Sequence, residues 1–366
     1  MKKLILPLMI LLALAACKST DKNTFKIKGQ IGGEQVNEVY LQKNNDGKFE
    51  IIDTALVDNG QFTFTGKIDY PQIYYIGLGD NRFVSFFAEP ADISIRFHTD
   101  SVQSPQVSGS TSDVTFREYL SLLDKQRTAE IGYYSAYNEA ARSKDTMRMD
   151  ELGKEIEAFE QRQKDEIIQF AKDHPDSYVS PYVIMRHSYM MELDELKAAR
   201  ASFDNKISKG SFTQDLDKRI TLLSNVQVGK PAPDFTMNDT EGNPVSLSQF
   251  KGQLVLVDFW AAWCGPCRRE NPNVVAAYKQ FKDRGFTVLG VSLDKEKDAW
   301  LKAISDDNLT WTHVSDLQYW NNSAAKLYGV MSIPSNVLID KDGIIIAKNL
   351  TGEKLLNKLS EVLAPV

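Results

Sequence analysis

Residues 25–110 alternate between apolar and polar positions with the period of two that is typical of strands. Turn sequences such as Asn45-Asp46-Gly47 and Asp58-Asn59-Gly60 interrupt the alternation about every ten residues. This spacing predicts about seven short strands in an antiparallel β-sandwich or barrel. The segment has no cluster of catalytic side chains, so it gives no indication of an activity of its own.

The hydrophobic period lengthens to that of helices over residues 111–226. Apolar residues keep helical spacing from near Asp113 to Phe170, and His174-Pro175 ends the run. Shorter helices are predicted after it, at 180–191, 192–203 and 212–223. One helical face carries aromatic and methionine side chains, namely Tyr182, Met185, Tyr189 and Met190. We interpret this stripe as packing between helices rather than as a binding surface.

From Val228 onward the pattern is typical of an α/β domain, with a continuous apolar run at 254–259 that predicts a strand buried on both faces. The elements predicted after it are a helix at 264–281, a strand at 286–292, a hairpin around 340–343 and a last helix at 353–363. The predicted fold class is multidomain. It comprises a β-sandwich or barrel at 25–110, a helical region at 111–226 and an α/β domain at 228–366.

The first residues have the pattern of an export signal. Lys2 and Lys3 precede an apolar stretch at 4–13, which is too short to span a bilayer. Leu14-Ala15-Ala16-Cys17 resembles a bacterial lipobox. We therefore predict a signal peptide at 1–16, a diacylglycerol on Cys17 and a polar tether at 17–24. An ordinary secretory signal cleaved after Ala16 is the alternative.

Charge and cysteine usage agree with an exported protein. The net charge is −6 and basic clusters are absent, which argues against nucleic acid as a partner. Only 3 cysteines occur in 366 residues, an economy that suits an oxidising compartment. Lys18 follows Cys17 where the inner-membrane retention signal would have Asp, so we expect a cell-envelope lipoprotein, with the outer membrane favoured.

The run Trp263-Cys264-Gly265-Pro266-Cys267 directly follows the buried strand and begins the predicted helix. Residues three apart in a helix lie on one face, with Cα atoms about 5–6 Å apart, which suits a disulfide. We expect Cys264 at the exposed end of the helix, where the helix dipole stabilises a thiolate, and Cys267 one turn deeper. Gly265 leaves the approach to the sulfur open, and Pro266 is tolerated in a first helical turn.

This dithiol predicts thiol–disulfide exchange. Cys264 would attack a partner's disulfide, and Cys267 would then release the reduced partner. Asp258 lies six residues before Cys264 within the apolar strand, and a buried carboxylate with a raised pKa is a suitable proton acceptor. A structural acid is the alternative. The sequence lacks the set of ligands that a zinc site needs. A purely structural disulfide remains an alternative, because the spacing of the cysteines alone does not exclude it.

Residues 258–267 resemble the active-site strand and turn of thioredoxin, and Met331-Ser332-Ile333-Pro334 resembles the second signature of that fold. The resemblance implies a cis-proline opposite the dithiol. It also implies that Ile333 and Pro334, together with Trp263, Gly265 and Pro266, contact the substrate. The strand lysine of thioredoxin has no counterpart in Val288-Leu289-Gly290-Val291.

The run Arg268-Arg269-Glu270-Asn271-Pro272 and the additional segment between Val291 and Ile333 are similar to those of TlpA/ResA-like thiol–disulfide oxidoreductases, in the wider AhpC/TSA superfamily. This resemblance implies that Glu270 is the family's active-site glutamate and that no cofactor or metal is needed. It also implies a disulfide-containing envelope protein as substrate and a membrane electron donor or thiol protein as reductant. Residues 25–225 resemble the N-terminal region of Bacteroidota lipoproteins that carry such domains.

We favour a reductase, because Gly265-Pro266 between the cysteines resembles the reducing members. A peroxiredoxin-like peroxidase is one alternative, since Pro231-Ala232-Pro233-Asp234-Phe235 also resembles that family. Its Pro-x-x-x-Thr-x-x-Cys setting is absent before Cys264. A non-catalytic binding lipoprotein that captures its ligand with the β domain is the other alternative.

Overall fold

The computed structural model describes residues 23–45 and 47–364. They form two compact units. The first unit consists of the residues before 137 together with 177–179 and 209–211. The second consists of 137–176, 180–208 and the residues from 212 onward. The predicted signal peptide at 1–16, the lipidation site Cys17 and most of the predicted tether at 17–24 lie outside the described residues.

The first unit is built mainly of strands, in the order β1 (Thr24–Gly32), β2 (Glu38–Asn45), β3 (Lys48–Leu56), β4 (Gln61–Lys67), β5 (Gln72–Gly77), β6 (Phe83–Ala88), β7 (Asp92–His98) and β8 (Gln106–Ser108). They form two sheets with the orders β4-β1-β7-β8 and β3-β2-β5-β6. Neighbouring strands are antiparallel, except that β1 and β7 run parallel.

Alternating side chains of the two sheets form one hydrophobic core. In β1, for example, Phe25 and Ile27 are buried whereas Lys26 and Lys28 are exposed, as the period of two requires. The predicted β region is therefore confirmed. The parallel β1–β7 pair is a feature that periodicity could not reveal, because both orientations bury the same alternate residues.

Five helices lie between the β region and the C-terminal domain in the described chain: α1 (Thr111–Ser143), α2 (Thr146–Asp173), α3 (Val179–His187), α4 (Leu193–Ala201) and α5 (Ser211–Asn225). Asp145 caps α2, and its carboxylate accepts a hydrogen bond from the Arg148 amide at 3.0 Å. The predicted helical region and the break at His174-Pro175 both occur in the structure.

The aromatic and methionine stripe on α3 does not form the core that we expected. The buried apolar side chains of this helix include Val179, Val183 and Ile184, whereas Tyr189 beyond its end is 50% exposed. The helix ends at His187, so Tyr189 does not lie on the helical face that the prediction assumed. Tyr182 keeps an aromatic contact with Phe212, with ring centroids 5.0 Å apart.

The C-terminal domain combines strands and helices, namely β9 (Thr236–Asn238), β10 (Pro244–Ser246), β11 (Leu254–Trp260), α6 (Gly265–Phe281), β12 (Phe286–Ser292), α7 (Lys297–Asp306), β13 (Thr312–Val314), α8 (Ser323–Tyr328), β14 (Ser335–Ile339), β15 (Ile345–Lys348) and α9 (Gly352–Val362). Its main sheet has the order β13-β12-β11-β14-β15, with β11 parallel to β12 and antiparallel to β14. Every residue of β11 is buried, which confirms the strand predicted at 254–259.

Within the described part of the chain, no helix combines the length and the hydrophobicity that crossing a membrane requires.

Gly290 occupies a position where two strands and two aromatic rings meet. In the sheet register it lies between Asp258 of β11 and His313 of β13. A Cβ atom on Gly290 would lie 2.3 Å from His313 Nδ1 and 3.2 Å from Trp260 Nε1. His313 itself is buried against Trp260, with ring centroids 5.5 Å apart, so it has little room to move.

We therefore expect Gly290→Ala to destabilise the domain by about 1–3 kcal/mol through overpacking. Calorimetric melting of the full chain would measure the loss as a lower transition temperature. Gly153→Ala is the control, because nothing lies within 4 Å of a Cβ at that position in α2, and alanine there should add about 0.5–1 kcal/mol. Equal effects of the two substitutions would contradict the packing argument.

Candidate active site

Cys264 and Cys267 form a disulfide at the start of α6, with Cα atoms 5.3 Å apart. Cys264 is the N-cap of the helix, and its Sγ accepts a hydrogen bond from the Cys267 amide at 3.1 Å. An N-terminal amide directed at sulfur is the arrangement that stabilises a thiolate. The structure therefore places the dithiol where the sequence predicted it.

The expected exposure of Cys264 is wrong for this disulfide-bonded form. Cys264 is 4% exposed and Cys267 is 1% exposed, so both sulfurs are covered. The Ile333 carbonyl oxygen lies 3.7 Å from Cys264 Sγ and closes one side of it. Trp263, which precedes the disulfide, is 47% exposed instead, while Gly265 and Pro266 are exposed beside it.

The second signature lies opposite the disulfide. The Ile333–Pro334 peptide bond is cis, and β14 begins at the next residue, Ser335. The contact between the Ile333 carbonyl and Cys264 joins segments 69 residues apart in the chain. The structure thus brings together the residues that the sequence predicted for substrate contact: Trp263, Gly265, Pro266, Ile333 and Pro334.

Asp258 lies in the middle of β11 and is 6% exposed. Burial, together with the nearby negative charge of Glu270, raises the pKa of its carboxyl to about 7, and burial is the larger of the two causes. Glu270 Oε1 accepts a hydrogen bond from the Gly352 amide at 2.7 Å, and its Oε2 accepts one from Asn273 Nδ2 at 3.0 Å. The two carboxyls are therefore electrostatically coupled, and Glu270 is held at a fixed place.

Asp294 supports the active-site turn, and the sequence reasoning did not single it out. Both of its carboxylate oxygens accept from the Ala262 amide, at 3.1 and 3.0 Å, and Ser292 Oγ donates to it at 2.8 Å. Arg268 adds a second support, because it pairs with Asp307 and donates to the Ala262 carbonyl at 3.4 Å. The only feature of the sequence that could have indicated Asp294 is the position of an acidic residue just after a predicted strand.

An aromatic cluster lies beside the disulfide. Tyr319 and Trp320 contact Trp263, with ring centroids 5.1 and 6.0 Å away, and the Lys295 ammonium is 4.6 Å from the centre of the Tyr319 ring. Leu317 and Tyr319 both have φ = 56°, in the left-handed region that non-glycine residues rarely adopt. Such backbone strain is typical of functional segments. The additional segment that the sequence analysis noted thus supplies two aromatic rings at the site.

Comparisons with known proteins agree with this geometry. Residues 228–348 match the model of the AhpC/TSA family, and residues 25–116 match a domain of unknown function, DUF4369. Thiol-disulfide oxidoreductase ResA of Bacillus thuringiensis subsp. konkukian is 32% identical over 146 residues, which are 40% of this chain and 82% of that protein. The chain belongs to the AhpC/TSA family of thioredoxin-fold proteins.

Two further comparisons concern the same domain. ResA of Geobacillus thermodenitrificans is 34% identical over 140 residues, covering 37% of this chain and 79% of that protein. The solved thioredoxin domain of a thiol-disulfide oxidoreductase from Bacteroides vulgatus is 40% identical, covers 37% of this chain and 98% of that one, and has a TM-score of 0.36. This member of the AhpC/TSA family is a thiol–disulfide oxidoreductase, as its sequence predicted.

The Asp258 pKa predicts how the stability of this AhpC/TSA-family domain depends on pH. The pKa of Asp258 is about 7 in the folded state, compared with an ordinary value of 3.8. Between pH 3.8 and pH 7, the folded state therefore binds the Asp258 proton more tightly than the unfolded state. The contribution of Asp258 to stability is therefore fully present below about pH 4 and is lost as the pH rises to about 7. Asp258→Asn should remove this loss and stabilise the domain at pH 8 by on the order of 2 kcal/mol.

Denaturant unfolding of both proteins from pH 4 to pH 8 would measure the difference. Glu270→Gln is the matched variant, because it keeps an acceptor oxygen for the Gly352 amide but removes the charge that raises the Asp258 pKa. With this variant the stability loss should still begin near pH 4, but it should end at a lower pH than in the wild type and be smaller, because only the folded-state pKa of Asp258 is lowered. Parallel curves for wild type and Asp258→Asn would show that Asp258 does not titrate in this range.

Proposed function

We propose that the protein is an envelope reductase of disulfides in partner proteins, with Cys264 and Cys267 as the cycling pair. The observation that supports this most strongly is the disulfide at the start of α6 with Ile333 at 3.7 Å from its Cys264 sulfur. This places a reactive pair beside a backbone segment on which an extended partner could lie. The Gly265-Pro266 pair between the cysteines favours reduction over oxidation.

In the first step, the Cys264 thiolate attacks one sulfur of the partner's disulfide and expels the other as a thiolate. The product is a mixed disulfide between Cys264 and the partner. In the second step, the Cys267 thiolate attacks Cys264 Sγ and displaces the partner's remaining sulfur. The protein loses two electrons and gains its internal disulfide, and the partner gains two electrons and, after protonation, two thiols. The Cys267 amide, 3.1 Å from Cys264 Sγ, stabilises the first thiolate.

We assign proton transfer to Asp258, with Glu270 tuning it. The second step needs Cys267 to lose its proton, and a carboxyl with a pKa of about 7 exchanges protons readily at neutral pH. Glu270 contributes through its charge, which raises the Asp258 pKa. The neighbouring strand has no lysine at 288–291, and Glu270 is the charged group that acts on Asp258.

Substrate binding is assigned to the cis Ile333–Pro334 segment and to the exposed face of Trp263, Gly265 and Pro266. Tyr319 and Trp320 extend this face with two rings that contact Trp263. Aromatic side chains are favourable at protein interfaces because they bury a large area at low entropic cost.

The predicted lipobox supports anchoring through Cys17 after removal of residues 1–16, and Lys18 favours the outer membrane. We propose that the β region at 25–110 and the helical region at 111–226 precede the catalytic domain at 228–366 in the chain and carry no redox chemistry of their own. Each turnover leaves the protein oxidised, so a membrane electron donor or a thiol protein must return two electrons to it.

Cys264→Ser should abolish exchange, whereas Cys267→Ser should accumulate mixed disulfides because the resolving thiol is absent. Affinity purification of each variant from cells, under conditions that trap thiols, would measure the covalent complexes. The double variant Cys264→Ser/Cys267→Ser is the control and should recover none. Failure of Cys267→Ser to retain any partner through Cys264 would count against a protein substrate.

The direction of exchange is tested by the equilibrium reduction potential of the pair, from redox-buffer titration with thiol-trapping mass spectrometry. We expect a value near or below that of thioredoxin, about −270 mV. A value near the oxidising end of the scale, about −120 mV, would make the protein a disulfide donor. The absence of a reversible two-electron step would favour the non-catalytic binding protein.

A further inference from the structure

A polar pocket of about 170 Å³ lies within the second unit, next to the cis Ile333–Pro334 segment. One side is formed by residues 188–193 between α3 and α4, and the other by residues 328–335. Pockets for whole small molecules generally begin at about 300 Å³. This pocket is therefore suited to a single side chain.

The helical region holds the loop that forms this pocket. Arg219 of α5 donates from Nη1 to the Gly329 carbonyl at 2.8 Å, and Ser188 Oγ lies 3.4 Å from Met331 Sδ. A Cβ on Gly329 would lie 3.0 Å from Leu223, so α5 packs closely on the loop. The pocket is consequently a built feature of the segment that leads into Pro334.

Two half-buried cations, Arg219 and Lys348, line the pocket. Neither has a carboxylate within salt-bridge distance in the described part of the chain, and Arg219 Nε is buried without a hydrogen-bond partner there. Among the described lining residues only Glu192 is acidic, which leaves one positive charge in excess. Burial lowers the pKa of both cations; at Lys348 the positive charge of Arg219 lowers the pKa as well, whereas the negative charge of Glu192 acts in the opposite direction.

We propose that this pocket binds a carboxylate side chain of the partner protein, carried on the segment whose disulfide reacts with Cys264. This inference rests on the proposed function and adds a preference for acidic substrates. A carboxylate would supply the missing counter-charge, and an acid on the reacting segment lies within reach because the pocket borders Pro334. Tyr189, half exposed at the pocket, would cover the bound side chain.

The test uses the reduced full chain and nine-residue peptides, each with a central cysteine in a disulfide with 2-thiopyridine. Glutamate is placed in turn at each of the four positions on either side of the cysteine, with a matched glutamine peptide for each. We expect glutamate to raise kcat/KM about tenfold at one position or two adjacent ones, mainly through KM. The Lys348→Glu variant should instead prefer a peptide with lysine at the position where the wild type prefers glutamate.

Lys279→Glu is the matched control, because Lys279 is exposed on α6 outside the pocket and the charge change is the same. It should keep the wild-type preference for glutamate. Lys348→Gln, which should reduce the preference without reversing it, provides a milder variant if Lys348→Glu folds poorly.

Equal rates for glutamate and glutamine peptides at every position would overturn the pocket proposal while leaving the proposed function intact. A glutamate preference that persists in both Lys348 variants would overturn it as well. Inhibition by free glutarate without any preference among peptides would assign the pocket to a small anion instead. Failure to reduce any peptide, or a small neutral disulfide such as 2-hydroxyethyl disulfide, would reject the function on which the inference rests.

Discussion

Strand β11 determines the relative positions of Asp258, the disulfide and the cis-proline. It is paired on one side with β12 and on the other with β14, and all its residues are buried. The end of β11 leads into Cys264, and the start of β14 follows Pro334, so the antiparallel β11–β14 pairing brings the dithiol and the cis-proline together. A shift of this register by one residue would turn Asp258 to the other face of the sheet.

The site combines covered sulfur atoms with an exposed rim. Burial desolvates Asp258 and raises its pKa, while Trp263 is 47% exposed beside the disulfide. This division suits thiol–disulfide exchange, because the proton must be handled away from bulk water whereas the partner must reach the sulfur. Asp294 and Arg268 stabilise the turn between these two environments through Ala262.

The helical region does more than precede the catalytic domain. Arg219 and Ser188 contact residues 329 and 331, just before the cis-proline. If a substrate segment lies on this loop, as proposed, the helices would influence which partners fit. The proposed preference of the pocket for carboxylates would then act through its two cations.

The sequence by itself determined the strand, the helix and the spacing of Cys264 and Cys267, because period and spacing reflect which residues of one segment face the core. It also predicted a buried Asp258 and the fold class. Only the tertiary structure decided the coupling of Asp258 with Glu270, the support from Asp294, the covering of Cys264 and the meeting of the half-buried cations Arg219 and Lys348 in one pocket. These contacts join residues distant in the chain, and their formation depends on how the elements pack rather than on any local pattern.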